Sequence, residues 1–338
     1  MKLNAAICAV ALCLGQPALS TTLDTFTGFV GFGDSLSDAG RFGQLIPPSN
    51  GGRFTDGITW MEVLGNEFTA RGDNAYNMAL GGATAGPVNT NLPGFAFVDS
   101  ITPRDPGDPN DIPLVNLATL SDQVASFAAA GFDSMVGDNP LVTILLGGND
   151  FLQNPLADPL AVIQNIADGI VQTASLGAQF DSFMVANLPD FSVRPSLFYA
   201  DAALKADIRS QSIGFNFLLD AAMTSLAGAT GLEIEIFDLF STADAAYQDA
   251  ISAGVILDDT CVDSLNGLAP DPACDEPSES ANYLFIDDVH PGDFAQSRWG
   301  AAAVAQVQGR LSPVPLPAGA VLLLTGVAVL AGKRARRA

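Results

Sequence analysis

His290 is the only histidine of the 338-residue chain, and it follows Asp287 by three positions in Phe285-Ile-Asp-Asp-Val-His-Pro-Gly292. One imidazole is enough for a hydrolase that activates a serine, because a single ring takes the proton and returns it while a carboxylate holds the ring in place. It is too few for most zinc sites, which take two or three imidazoles, and a serine hydrolase of this kind needs no metal or organic cofactor. Asp287 stands three residues before that ring, and the rival carboxylate Asp288 two before it. A three-residue separation on a turn lets Asp287 face the ring, whereas Asp288 points elsewhere on most turns.

The serine has to be brought to that ring by an element from elsewhere in the chain. Phe29-Val-Gly-Phe-Gly-Asp-Ser-Leu-Ser-Asp-Ala-Gly40 is an apolar run that breaks at Gly33-Asp34-Ser35 into a small polar turn. A short strand ending in such a turn leaves Ser35 at the carboxyl edge of a parallel sheet, where α/β enzymes build their sites. The G-x-S-x-G elbow is absent, since Ser37 stands where its second glycine would be. An alternative role for Ser35 is capping the following helix.

Four separated blocks then carry a resemblance. Gly33-Asp34-Ser35-Leu36, followed by Ser37-Asp38 and Gly40, resembles the first block of the GDSL lipase/esterase family of the SGNH hydrolase superfamily. Tyr76-Asn-Met-Ala-Leu-Gly-Gly-Ala-Thr-Ala85 resembles the second, Leu146-Gly-Gly-Asn-Asp150 the third, and Asp287 with His290 the last, all in family order. Asn50-Gly-Gly-Arg-Phe-Thr-Asp-Gly-Ile-Thr-Trp60 and Ala186-Asn-Leu-Pro-Asp190 resemble connecting segments of the larger members, and the similarity spans roughly 26–310.

The resemblance implies Ser35 as nucleophile, His290 as general base and then acid, and Asp287 as the orienting carboxylate. It also implies an oxyanion hole made by the Ser35 backbone N–H, a glycine N–H of the second block and the Asn149 side chain. Each such donor is worth roughly 3 kcal/mol. Matching from Asn77 favours Gly82 over Gly81. Asp150 reads as a local structural hydrogen bonder, Asp34 as a turn former, and Trp60 and Trp299 as core residues.

The elements that would hold these residues alternate. Strands are expected over Phe26–Phe32, Ala75–Leu80, Leu141–Leu146, Ser182–Ala186 and Leu232–Phe237, with helices near 57–70, 118–131, 156–177, 201–228 and 293–310. That alternation predicts a parallel sheet covered on both faces. The family implies an α/β, flavodoxin-like three-layer α/β/α sandwich with a mainly parallel five-stranded sheet and the site at the carboxyl edge.

The two ends differ from this middle. Residues 1–20 read as a secretory signal, with Lys2, an apolar stretch from Leu3 to Leu14, and Ala18-Leu-Ser20 before the cut. The terminal segment 313–338 joins Val314-Pro-Leu-Pro-Ala318 to an apolar stretch and four basic residues, and resembles VPLPA/PEP-CTERM sorting tails. A helix over Pro317–Gly332 would be about 24 Å long, slightly short for a bilayer core of about 30 Å. Signal peptidase and an exosortase-type enzyme are therefore expected partners, and the hydrolase domain is assigned to 21–312. The chain is expected to be exported across the inner membrane to the cell surface or beyond, with transient anchoring by the tail.

The formal net charge is −23, with 37 acidic against 14 basic residues. Five of those basic residues lie in the two end segments, which carry no Asp or Glu. Such a charge argues against nucleic acid and anionic membrane surfaces as partners. Cys8 and Cys13 fall in the signal, and Cys261 and Cys274 remain as an expected disulfide, worth about 3 kcal/mol on the loop-entropy model; two free buried thiols are the alternative. Residues 99–113 are rich in Pro and Asp and are read as a surface loop that can overhang the site, their spacing fitting no EF-hand. The expected function is a serine hydrolase cleaving carboxylic esters of lipid or small acyl type through an acyl-enzyme. A carbohydrate deacetylase, an acyltransferase, or a catalytically silent surface protein of the same fold are the alternatives.

Overall fold

The computed structural model describes residues 23–43, 48–102, 105, 107–263, 269–270 and 280–309. The signal segment, the sorting tail with its Pro317–Gly332 stretch, and Cys274 lie outside the described residues. Among the described residues no helix is long and apolar enough to cross a membrane.

Five parallel strands form the central sheet: β1 (Gly28–Gly33), β2 (Asn74–Asn77), β3 (Pro140–Leu145), β4 (Ser182–Ala186) and β5 (Glu233–Phe237), in the order β2-β1-β3-β4-β5. The three inner strands are buried along their whole length, and the two edge strands are only partly covered. That difference is written in the sequence: Leu-Val-Thr-Ile-Leu reads as a continuous run because helices cover both faces, whereas Glu-Ile-Glu-Ile-Phe alternates at an edge. β2 ends three residues before the expected Leu80. Its backbone nevertheless keeps feeding β1, with Met78 N–H donating to Gly31 O (2.8 Å) and Leu80 N–H to Gly33 O (3.1 Å).

The helices are α1 (Trp60–Thr69), α2 (Leu92–Ile101), α3 (Leu120–Ala129), α4 (Gly148–Gln153), α5 (Pro159–Ala174), α6 (Ala202–Thr230), α7 (Leu239–Ala253) and α8 (Asp293–Val307). α1, α7 and α8 pack together as one layer, and α3, α5 and α6 as the other, giving the three-layer α/β/α arrangement. Capping residues set the starts. Thr59 and Glu62 form a reciprocal capping box on α1, Thr119 caps α3, and Asp158 with Pro159 opens α5, so each begins two or three residues later than its pattern suggests. Three helices were not expected. α2 carries Pro93 and Gly94 in its first turn, α4 begins in Gly-Asn-Asp, and the Ala- and Ser-rich α7 has a weak apolar stripe. α2 also corrects the reading of 99–113: its first three residues, Asp99 to Ile101, are helical, and the Asp99 carboxylate accepts the Leu114 and Val115 N–H groups, closing the loop on itself.

Candidate active site

Parallel strands all deliver their carboxyl ends to one edge, and the four blocks follow β1, β2, β3 and the loop before α8. β1 ends at Gly33, where both backbone polar groups are held by one side chain. Gly33 N–H donates to Gln123 Oε1 (2.9 Å), and Gln123 Nε2 donates back to Gly33 O (2.8 Å) and to Leu117 O (3.0 Å). Beyond it the turn is pinned again. Gln296 Nε2 reaches Leu36 O (3.3 Å), Asn77 Nδ2 reaches Ser37 O (2.8 Å), and Trp60 Nε1 donates to Ser37 Oγ (3.1 Å). Gln123, Gln296 and Trp60 are fully buried. Trp60 and Trp299 are both in the core, and Trp60 stacks on Phe237.

Ser35, presented by that turn, lies 2.8 Å from His290, Oγ to Nε2. The other ring nitrogen, Nδ1, sits 2.7 Å from Asp287 Oδ2 and 2.9 Å from Oδ1. Asp287 Oδ1 also accepts the backbone N–H groups of Val289 (2.8 Å) and His290 (2.7 Å), which locks the carboxylate to the turn that carries the ring. The bonds to the His290 ring come from Asp287, while the Asp288 carbonyl takes the Ser196 N–H. Phe54 packs on the imidazole with a centroid separation of 4.8 Å, so the connecting segment around Arg53 and Phe54 is a wall of the site.

The electrostatics follow from burial and pairing. Burial works to raise the Asp287 carboxyl pKa. The imidazole's charge and hydrogen bond, with the two backbone donors, outweigh that and hold it below the ordinary value. For His290 burial works downward, while the Asp287 charge, its hydrogen bond and the nearby Asp34 lift the ring above its ordinary 6.5. Asp34 itself is pushed up to about 7 by burial, against the Leu36 N–H that it accepts. Asp38, also buried, is pushed up to about 6 while accepting the Gly40, Arg41 and Gly81 N–H groups.

Those bonds separate the two glycines of the second block. Gly81 N–H is taken by Asp38, and a Cβ at Gly81 would stand 2.1 Å from the Phe54 ring. Gly82 adopts φ +81°, a left-handed conformation that disfavours any side chain. Among the described residues neither the Gly82 nor the Ser35 N–H has a hydrogen-bond acceptor. Asn149 lies at the start of α4, and its Nδ2 donates to Ala83 O (2.9 Å), leaving its second amide hydrogen for another acceptor.

Asp150 is not a local hydrogen bonder. It accepts from Ala85 N–H (2.8 Å) and Gly86 N–H (2.9 Å), about sixty-five residues earlier in the chain, and so ties the third block to the second. The end of α4 adds to this tie: Gln153 Nε2 donates to Gly82 O (3.1 Å), the same oxygen that receives Asn89 Nδ2 (2.9 Å).

A mostly apolar cleft, open to solvent, adjoins these residues. Leu36, which follows Ser35, and Val289 and Pro291, which flank His290, line it together with Phe191, Val193 and Trp299. Asp190 of the Ala186–Asp190 segment closes one end, paired with Arg209, which also bonds Asp244 (2.8 Å). The 107–111 stretch reaches the other side of the site, where Asn110 O accepts Arg41 Nη1 (2.8 Å). Among the described residues no group of three His, Cys, Asp or Glu side chains is gathered to hold a metal ion. Cys261 is fully buried, while its expected partner Cys274 is outside the described residues.

The residues that sequence patterns missed are Gln123, Gln296 and Phe54. Gln123→Leu removes three buried hydrogen bonds and leaves the Gly33 N–H unmatched, while Gly33 O keeps only the Leu80 N–H. A loss of about 2–4 kcal/mol in unfolding free energy is expected, read by urea denaturation, with kcat falling more than KM rises.

A model of the GDSL-like Lipase/Acylhydrolase family matches residues 29–303. Over 281 residues the chain is 29% identical to the secreted effector protein SseJ of Salmonella typhimurium, covering 80% of this chain and 61% of that protein. It is 30% identical over 200 residues to the phosphatidylcholine-sterol acyltransferase of Aeromonas hydrophila, covering 56% of this chain and 52% of the other. The chain thus spans between half and three fifths of these curated relatives. Similar solved structures include Est24, a carbohydrate acetylesterase from Sinorhizobium meliloti, at 15% identity and TM-score 0.42, covering 84% of this chain and 99% of that one. The aryl esterase of M. Smegmatis is similar at 17% identity and TM-score 0.41, with the same coverage. The match to the family runs from β1 into α8 and takes in all four blocks, and the chain belongs to the GDSL-like lipase/acylhydrolase family.

Proposed function

We propose that this protein hydrolyses carboxylic esters through an acyl-enzyme. The observation that carries the reading is the continuous line Ser35–His290–Asp287, with 2.8 Å and 2.7 Å between successive groups. A serine hydroxyl is a weak nucleophile until a base accepts its proton. His290 Nε2 takes that proton as Oγ attacks the acyl carbonyl, and Asp287 keeps Nδ1 protonated and steadies the imidazolium. The N–H groups of Ser35 and Gly82 and the Asn149 amide receive the oxyanion. His290 then gives its proton to the leaving alcohol, the acyl group stays on Ser35 Oγ, and water activated by the same imidazole releases the acid. The apolar cleft beside Leu36 and Val289 suits a hydrocarbon acyl group.

Kinship with a phosphatidylcholine-sterol acyltransferase favours a second reading, acyl transfer to an alcohol. The two differ only in whether water or an alcohol takes the acyl group from Ser35. The hydrogen bond between Ser35 and His290 argues against a silent surface protein, which has no need of it. Export is part of the proposal: residues 1–20 leave as a signal, the 313–338 tail is sorted, and Cys261 pairs with Cys274. A relative named as a secreted effector supports the export.

A fluorophosphonate probe tests the enzyme reading. It is expected to label Ser35 and no other residue, located by peptide mass spectrometry. Absence of labelling on folded protein, or labelling elsewhere, refutes it.

A further inference from the structure

The chain carries no charged residue between Asp73 and Asp99, and none between Asp150 and Asp158, in a protein of net charge −23. The folded chain brings parts of these two stretches together. Thr90 N–H and Oγ1 donate to Gln153 Oε1 (2.7 and 2.9 Å), and Gln153 Nε2 reaches Gly82 O (3.1 Å). Around that junction large apolar side chains stand in solvent: Val88 is 76% exposed and Leu156 92%, with Leu92 and Leu152 beside them in the chain. Phe97, within the same uncharged stretch as Val88, is also exposed. Singly, exposed apolar residues are ordinary; several of them on two uncharged stretches that hydrogen bonds join at the rim of a site are not.

We infer that this rim is a docking surface for a neutral or zwitterionic lipid aggregate, and that it holds the mouth of the site against the aggregate that supplies the ester. The inference rests on the ester-hydrolase reading for its purpose, but not for its geometry. Its location carries it: the rim borders Gly82 and Asn149, whose backbone and amide groups face the reacting carbonyl under that reading. An acyl ester passing from aggregate to Ser35 crosses this edge, where the one carboxylate at the junction, Asp150, is already held by the Ala85 and Gly86 N–H groups. Charge selects the aggregate. A body of −23 is repelled by anionic lipid, and the rim offers no Lys or Arg to offset the repulsion, whereas a zwitterionic surface carries no such penalty.

The experiment compares the full-length chain with Val88→Glu/Leu156→Glu, and with Ile251→Glu as a charge placed on α7. Each is assayed on a soluble short p-nitrophenyl ester and on a long-chain ester carried in phosphatidylcholine vesicles. The double variant should lose at least tenfold on the vesicle substrate and nothing on the soluble one, and Ile251→Glu should lose neither. Hydrogen exchange gives a local readout on the Ser35→Ala chain, which leaves the vesicles intact. Amides within 86–98 and 150–157 should gain protection when phosphatidylcholine vesicles are added, and less when phosphatidylglycerol is mixed in at low salt. Equal loss on both substrates, no loss on either, or no local protection overturns the inference. Protection that appears on raising protein concentration without vesicles also overturns it, in favour of a second copy of the chain. If the parent hydrolyses no ester at all, the function reading fails, and the exchange measurement still decides the docking surface.

Discussion

Ser35→Ala is expected to lower kcat on a short p-nitrophenyl ester by on the order of 10⁵-fold or more, with no loss of fold. The side-chain contact removed is the single hydrogen bond to His290 Nε2, because the turn itself is held through backbone groups by Gln123, Gln296 and Asn77. A thermal melt should therefore stay within a few degrees of the parent. His290→Ala should cost a similar factor, since an unassisted hydroxyl and an absent hydroxyl are nearly equally unreactive. The double variant should then be little worse than either single one, because the two groups act as one unit. Factors that multiply instead would mean that Ser35 and His290 act independently, and the acyl-enzyme mechanism would be wrong. Parent-like turnover by Ser35→Ala would end it outright.

What could be read from the sequence and what could not have a common cause. The inner strands were legible because buried parallel strands must be apolar throughout, as in Leu141–Leu146, whereas the partly covered edge strand β2 ended short of its expected range. The spacing of Asp287 and His290 was legible because a tight turn leaves few directions for a carboxylate. Gln123 was not singled out, although a signal was present: α3 buries Leu120, Val124 and Phe127, and Gln123 occupies the i+3 position of that stripe. A polar residue on an apolar stripe must satisfy its amide inside the core, and here it does so on the last residue of β1. Gln296 stands likewise among Ala295, Trp299 and Ala303 of α8. Phe54 gave no such sign, because its contact with His290 is made by residues far apart in the chain, and no local pattern encodes that. The choice between Gly81 and Gly82 was similarly beyond periodicity. It turns on which N–H the Asp38 carboxylate occupies, a contact spanning forty-three residues.

Asp287→Asn is the sharper test of the proton path, because it changes charge and donor pattern with little change of shape. The Asn oxygen can keep the bonds from the Val289 and His290 N–H groups that Asp287 Oδ1 now accepts, so the turn should hold. Its NH₂ group would then face His290 Nδ1, where the carboxylate oxygen stood at 2.7 Å. Two donors cannot face each other, so Nδ1 would lose its proton and Nε2 would carry it. The nitrogen beside Ser35 would become a donor and could not accept the hydroxyl proton. A fall in kcat of about 10³–10⁴-fold follows, with KM little changed. The pH profile should move as well. The base works only when neutral, so activity fails as pH drops through the imidazole pKa, which in the parent lies above 6.5. Without the Asp287 charge, burial is left to pull that pKa down, and the acid limb of the residual activity should shift to lower pH. Asp287→Ala makes a useful companion: it also removes the charge but supplies no competing donor, so the correct tautomer remains accessible. Its activity should exceed that of the Asn variant if the tautomer is what matters. Equal loss in the two would assign the effect to charge alone, and an unmoved acid limb in both would show that Asp287 does not set the ionisation of His290.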